Sequence, residues 1–116
     1  MKIIIQPNNF EITDSIKEFI FTKFQLLTKI IHHNESECLI TLGKISAHHK
    51  QGDIFKVSVR VKNNKDIFQI EEIHEDIYAA IDIAKDTMER AIVVGRERKR
   101  SVFRKAAIKF KQLLQR

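Results

Sequence analysis

Residues 56–62 read KVSVRVK, so that valine alternates with charged and polar residues through the stretch. Successive side chains of a β-strand point to opposite faces of a sheet, which would place Val57, Val59 and Val61 together on one face. Alternation of this kind is typical of an antiparallel strand with one buried and one solvated face. The stretch therefore predicts a sheet that has its core on one side only.

The rest of the chain supplies partners for this strand. Four strands are predicted, at residues 2–6, 36–45, 55–62 and 65–72. Asn63 and Asn64 separate the last two strands, and asparagine tolerates the positive φ that a tight hairpin turn needs. The last two strands are therefore expected to form a hairpin.

Two further segments have apolar residues at helical spacing. Thr13 or Ser15 can cap a first helix that is predicted to run to about Ile31, and Glu75 and Asp76 open a second helix. The apolar face of the first helix comprises Ile16, Phe19, Ile20, Phe24, Leu27 and Ile31. That of the second comprises Ile77, Ala80, Ile81, Ala84, Met88, Ala91 and Ile92.

The predicted order of elements is β-α-β-β-β-α, with no long crossover after the second strand. This order indicates an α+β domain in which a four-stranded mixed sheet carries two helices on one face. The first strand is expected to run parallel to the second, because a helix connects them. We assign residues 1–95 to this domain and residues 96–116 to a basic amphipathic helical extension, since the pattern changes at Gly95.

Charge is distributed unevenly between these two parts. Residues 96–116 carry nine basic residues and one acid, a net charge of +8, whereas residues 1–95 carry 12 basic and 14 acidic residues. A cluster of this density favours a polyanionic partner, with RNA the first to consider, although charged helices that are merely solvated are common. Neutralised phosphates would release counterions and give salt-sensitive binding with little sequence selectivity.

The extension also has an apolar face, which runs from Val102 to Leu114. A basic amphipathic helix can bind a partner helix or lie on a membrane surface. It can equally fold back on its own domain, pair with a second copy of the chain, or become ordered only on RNA. We favour protein or self contact through residues 102–114 and do not expect a membrane partner.

Nothing in the sequence indicates a catalytic or metal centre. His32-His33 and His48-His49 are adjacent pairs, and neighbouring histidines rarely enter one coordination shell. The sequence contains neither a glycine-rich phosphate loop nor a recognisable nucleophile–base pair. We therefore expect no enzymatic activity, no metal and no cofactor.

A cytoplasmic location is expected. Cys38 is the single cysteine, which excludes an internal disulfide and fits a reducing compartment, and it is expected as a buried thiol. Lys2 is followed by only three apolar residues, too few for a signal peptide. No apolar run reaches the length of a membrane span.

Lys23 falls within the apolar face of the first helix and has two interpretations. Its stem can cover the core while its ammonium reaches water, as lysine often does. Its ammonium can instead be held at the domain edge for a phosphate. The sequence does not decide between them.

Residues 76–82 read DIYAAID, and this run closely resembles the D-[ML]-Y-A-A-I-D signature of ribosome hibernation promoting factors. That family is also called the ribosome-associated inhibitor or sigma-54 modulation family. Weaker matches lie near the N-terminus, at Ile3 to Ile5, Asn8-Asn9, Glu11-Ile12-Thr13 and Thr22-Lys23-Phe24. The resemblance covers about residues 1–98, agrees with the predicted element order, and is to the short form of the family, without the long form's C-terminal dimerisation domain.

The resemblance implies a function. Members of the family bind the small ribosomal subunit in the channel used by mRNA and the anticodon ends of tRNAs, and block translation in starvation or stationary phase. The basic edges of both helices face rRNA in the family, and Lys23, Arg90, Arg96 and Arg98 are the matching basic residues. With the neighbouring cations, the predicted RNA-binding residues are Lys23, Lys85, Arg90, Arg96, Arg98, Lys99, Arg100, Arg104 and Lys105.

The chain departs from the family pattern where relatives often carry further lysines, since it has Leu26, Thr87 and Val94 there. We hypothesise that the extension supplies this charge instead. Two other functions also fit the sequence. One is a stand-alone structured-RNA-binding module, because a sheet with two helices also resembles double-stranded RNA-binding domains. The other is an interaction adaptor that dimerises through its extension.

Overall fold

The computed structural model describes residues 1–31, 35–45 and 52–114, and of residues 99–111 it describes only the helical backbone. The strands are β1 (Lys2–Asn8), β2 (Glu37–Ile45), β3 (Ile54–Asn63) and β4 (Asp66–His74). The helices are α1 (Asp14–Phe24), which a 3₁₀ segment (Gln25–Lys29) follows directly, and α2 (Ile77–Leu114). The predicted order β-α-β-β-β-α and the α+β class are confirmed.

The four strands form one mixed sheet in the order β1-β2-β3-β4. β1 pairs with β2 in parallel, as predicted, and the other two pairs are antiparallel. Asn64 has a φ of 60° in the turn between β3 and β4, which is the positive φ that the hairpin prediction required. β1 and β4 are therefore the two edges of the sheet.

Both helices cover the same face of the sheet. Val57, Val59 and Val61 of β3 are completely buried there, and the alternate residues of β3 face the other way. The other fully buried large side chains are Phe24, Ile20, Leu27, Cys38, Ile40, Leu42, Ile81, Met88 and Ile92. The core predicted from the valine alternation and the two helical stripes is thus one continuous cluster.

α1 begins as predicted but is shorter. The Thr13 hydroxyl caps its N-terminus by accepting a hydrogen bond from the amide of Ile16 at 3.2 Å. The α-helix ends at Phe24, and the 3₁₀ segment continues in the same direction, where the Thr28 hydroxyl donates to the carbonyl of Gln25 at 2.6 Å. A threonine side chain that binds a carbonyl of the preceding turn competes with regular helix geometry. The predicted apolar pattern is still buried through Ile31.

α2 packs closely on β4 near its middle. A Cβ atom added at Gly95 would lie 2.8 Å from Cε1 of Phe68, so only glycine permits this approach without a shift of the ring. The helix does not break there, and its 38 residues correspond to about 57 Å at 1.5 Å per residue. At the far end Leu113 and Leu114 are 65% and 71% exposed. The division of the chain after residue 95 stays a prediction.

No helix within the described residues is both long enough and apolar enough to cross a membrane.

Two phenylalanines of α1 should differ greatly in their contribution to the stability of the fold. Phe24→Ala should destabilise the fold by about 3–5 kcal/mol, because it removes a completely buried ring and leaves a cavity. Phe21→Ala is the matched control and should cost less than about 1 kcal/mol, since Phe21 is 40% exposed. Urea unfolding of both variants measures the difference. Equal losses would contradict this description of the core.

Candidate nucleic-acid interface

The DIYAAID run forms the start of α2 and joins it to α1. The Asp76 carboxylate accepts a hydrogen bond from the amide of Tyr78 at 2.9 Å and so caps the helix. Ala80 and Ile81 are completely buried. The Tyr78 ring contacts the edge of Phe19 of α1, with ring centroids 5.1 Å apart and an interplanar angle of 83°. An edge-to-face pair of this kind fixes the relative position of the two helices.

Lys23 belongs to the same helix–helix contact. Its Nζ lies 3.1 Å from the Asp82 carboxylate and 5.5 Å from the centre of the Phe19 ring. The side chain is 34% exposed, so the ammonium can still reach solvent. The structure therefore shows a lysine whose charge is shared with Asp82 and an aromatic face. Its RNA-binding role stays a prediction.

Sequence reasoning identified the motif but not this contact. Phe19 and Lys23 are four residues apart on α1, and Tyr78 and Asp82 are four apart on α2, so each pair lies on one helix face. Each stripe combines an aromatic ring with a charged residue, and the charges of the two stripes have opposite signs. This complementarity is the signal in the sequence that could have indicated the contact. Sequence alone could not say that the two stripes face each other.

Lys85 is buried and already bound to carboxylates. The residue is only 9% exposed, and its Nζ lies 2.8 Å from Glu89 Oε2 and 3.4 Å from Asp86 Oδ1. The hydrogen bond to Glu89 raises the pKa of Lys85, while burial acts in the opposite direction. Contact with a phosphate would require these bonds to break. The RNA-binding role of Lys85 stays a prediction that the local geometry disfavours.

Arg90, Arg96 and Arg98 are differently placed. Arg90 and Arg98 are exposed, whereas Arg96 is partly buried and lines a cleft of about 150 Å³ with Asn63 and Phe68. None of the three arginines forms an ion pair with any residue that the structure describes. At about 100° per residue, Arg90 and Arg96 lie roughly 120° apart around the helix axis. The cations therefore surround this part of α2 and do not line a single edge.

The remaining predicted RNA-binding residues are Lys99, Arg100, Arg104 and Lys105. They lie on the helical backbone of α2, but their side chains are outside the described residues. The two histidine pairs, at residues 32–33 and 48–49, are also outside them. Within residues 1–31, 35–45 and 52–114, no group of three or more potential ligands is placed to hold a metal. Burial raises the pKa of the Cys38 thiol to about 12, which keeps it protonated at neutral pH.

The three positions at which the resemblance to the family leads us to expect lysines are all near the surface. Leu26 and Val94 are exposed apolar residues. The Thr87 hydroxyl lies 2.9 Å from a carboxylate oxygen of Glu72, to which it donates. At these positions the helices present apolar or neutral groups to solvent.

The geometry at Lys85 predicts how its pKa responds to substitution. Glu89→Gln should lower the pKa of Lys85 clearly, because the shorter hydrogen bond then lacks a charged acceptor. Asp86→Asn should lower it less, since Asp86 Oδ1 is 0.6 Å farther away. NMR titration of the Lys85 side chain measures all three proteins. The same pKa in each would contradict the geometry.

The sign of the linked stability follows from the raised pKa. The Lys85 contribution to folding should be fully present below the ordinary lysine value of 10.5 and be lost as the pH rises through the folded-state value.

Residues 3–100 match the family model described as sigma 54 modulation protein / S30EA ribosomal protein. A curated relative, the ribosome hibernation promotion factor of Picosynechococcus sp., is 28% identical over 92 residues. That match covers 79% of this chain and 47% of the relative, so the chain spans about half the length of the curated relative it matches.

Two solved structures share the fold. The N-terminal domain of protein Y from Thermus thermophilus has a TM-score of 0.66 and 27% identity, over 79% of this chain and 96% of that one. A ribosomal subunit interface protein from Coxiella burnetii has a TM-score of 0.67, over 84% of this chain and 99% of that one, and at 16% identity it supports the fold alone. Because the family model spans most of the chain, from the first strand into the basic part of α2, the protein belongs to the sigma 54 modulation protein / S30EA ribosomal protein family.

Proposed function

We propose that this protein is a non-enzymatic, cytoplasmic ribosome-binding factor that inhibits translation by occupying the mRNA and tRNA channel of the small ribosomal subunit. The observation that carries the proposal is membership of the family over residues 3–100. The curated relative is named for ribosome hibernation. We propose that this protein also acts in ribosome hibernation, during stress. No cofactor is needed for such a role.

The proposed mechanism is steric. The domain is held as one unit by its shared core and by the Tyr78–Phe19 and Lys23–Asp82 contacts between the helices. A body of this kind excludes mRNA and tRNA from the volume that it fills. Contacts to phosphates would supply affinity, while the shape of the channel would supply specificity.

The unpaired arginines of α2 are the phosphate contacts that we propose for the described part of the chain. Arg90 and Arg98 are exposed and form no ion pair among the described residues, so binding a phosphate would break no ion pair that the structure describes. Arg96 is partly buried, and only the exposed part of its side chain would need to reach a phosphate. Lys99, Arg100, Arg104 and Lys105 follow along the same helix and would extend the contact.

A stand-alone structured-RNA-binding module is the alternative. It would bind a free RNA duplex as tightly as it binds small ribosomal subunits, because both present phosphates. A clear preference for subunits favours the proposed function.

Co-sedimentation with isolated small subunits tests the proposal. Binding should be present at low salt and weaken as salt rises, because each neutralised phosphate releases counterions. Arg98→Gln should weaken binding and reduce the slope of log affinity against log salt by about 0.7–0.9, the value for one lost contact. Absence of co-sedimentation at low salt would refute the proposal.

Two further variants sharpen the test. Lys56→Gln removes a cation that lies 3.5 Å from Glu71 and is a control that should leave binding within about twofold. Val94→Lys restores a cation at a position where relatives carry lysine and should strengthen binding.

We also propose self-association through residues 102–114 of α2. The exposure of Leu113 and Leu114 supports an apolar face that another molecule can cover. The +8 charge of residues 96–116 acts against pairing of two such segments, because like charges repel. Self-association should therefore depend on salt in the direction opposite to RNA binding.

Sedimentation velocity of the free protein checks this second proposal. Association should increase from low to high salt, because counterions screen the repulsion. Leu113→Gln combined with Leu114→Gln should abolish association and leave the fold intact, since both side chains are exposed. A monomer at every salt concentration, or association that survives the double substitution, would contradict it.

A further inference from the structure

The sheet face that the helices leave uncovered carries a group of cations at one end. Arg60 of β3 lies opposite Leu39 of β2 and Gln69 of β4, and two residues further Lys62 lies opposite Glu37 and Ile67. Both cations are exposed and point away from the buried valines of the same strand. We call the sheet face that the helices leave uncovered, on which Arg60 and Lys62 lie, the outer face.

Cations on the outer face differ in their partners according to the end at which they lie. Near the end where β4 leads into α2, Lys56 of the outer face is 3.5 Å from Glu71. At the hairpin end, Arg60 and Lys62 form no ion pair with the residues that the structure describes, and the same holds for Lys2 and Lys65.

Glu37 is the acid within this group of outer-face cations. It stands between Lys2 and Lys62 in the register, yet neither lysine is within ion-pairing distance of it. On the outer face itself, Lys2, Arg60 and Lys62 outnumber the Glu37 carboxylate. Lys65 of the turn stands next to Asp66, which lies in register with Asn63 on the helix-covered side of the sheet.

The hairpin end is also where the basic part of α2 leaves the domain. Arg96 lines a cleft together with Asn63 and Asp66, the two residues that close the β3–β4 hairpin. Lys62 and Lys65 are sequence neighbours of those two residues. Arg96 of α2 and the outer-face cations therefore lie on two sides of one hairpin.

We propose that Lys2, Arg60, Lys62 and Lys65 form a second phosphate-binding surface for RNA, so that RNA contacts the domain on both faces of its sheet. This inference rests on the proposed function and extends it to residues that the sequence analysis did not select. The period-two position of Arg60 and Lys62 was visible in KVSVRVK. The sequence did not show that Arg60 and Lys62 lie at the same end of the sheet as Arg96.

RNA is favoured over an acidic protein by the position of these cations. They lie across the hairpin from Arg96 of α2, and a phosphate backbone that crosses the hairpin can engage both. The described strands place no aromatic side chain on the outer face, so stacking on bases is not available there. The surface is suited to backbone phosphates, without base selectivity.

The test compares two double variants with the same change in charge. Arg60→Gln with Lys62→Gln removes two cations that form no ion pair with the described residues. Lys44→Gln with Lys56→Gln removes two paired cations from the opposite end of the sheet, Lys56 from the outer face and Lys44 from the helix-covered side. With isolated small subunits as the probe, the Arg60/Lys62 double variant should bind roughly tenfold more weakly than the wild type. Its slope of log affinity against log salt should be smaller by about 1.4–1.8. The second should stay within about twofold of the wild type. Unfolding midpoints confirm that both variants fold.

The outcomes separate this inference from the proposed function. If the wild type binds small subunits and the Arg60/Lys62 variant binds them equally well, the inference is overturned and the proposed function stands. Failure of the wild type to bind subunits would refute the proposed function, and a short RNA duplex then becomes the probe. Weaker duplex binding by the variant supports the surface, and equal binding overturns it. Cross-links from Lys62 to a ribosomal protein instead of rRNA would also overturn it.

Discussion

Burial of a single sheet face beneath two helices is the constraint on which the rest of the structure depends. Val57, Val59 and Val61 are completely buried, so the alternate residues of β3 must point to the uncovered face. The same constraint directs one stripe of each helix inward and leaves most charged residues of the described part of α2 around its outer surface, with Lys85 buried. The positions of the cations are thus a consequence of how the core is closed.

The residues of the family signature contribute more to closing the core between the two helices than to the exposed surface that would bind RNA. Ala80 and Ile81 are buried, Tyr78 contacts Phe19, and Asp82 pairs with Lys23. The motif that resembles the family most closely is therefore a helix-to-helix contact. The proposed RNA contacts in the described part of α2 are instead arginines, exposed or partly buried, that form no ion pair with any described residue, a condition that favours an external anion.

The fold and the core could be predicted because both depend on local periodicity. Alternation in β3 and helical spacing in α1 and α2 are properties of neighbouring residues, and burial follows from them directly. The end of α1 could not be predicted this way, since the Thr28 hydroxyl competes for a carbonyl and the helix tightens after Phe24. Lys85 was grouped with the RNA-binding cations on charge alone, and its burial beside Glu89 was not visible in that pattern.

The sequence by itself determined the element order, the buried stripes, the +8 charge of residues 96–116 and the family resemblance, because each is written in a contiguous stretch. Only the tertiary structure decided which cations are paired and which are free. Lys23 pairs with Asp82 across two helices, and Lys56 pairs with Glu71 across two strands, whereas Arg60 and Arg96 form no ion pair among the described residues. Electrostatic pairing acts over a few ångströms in space, and distances between residues far apart in the chain exist only once the chain has folded.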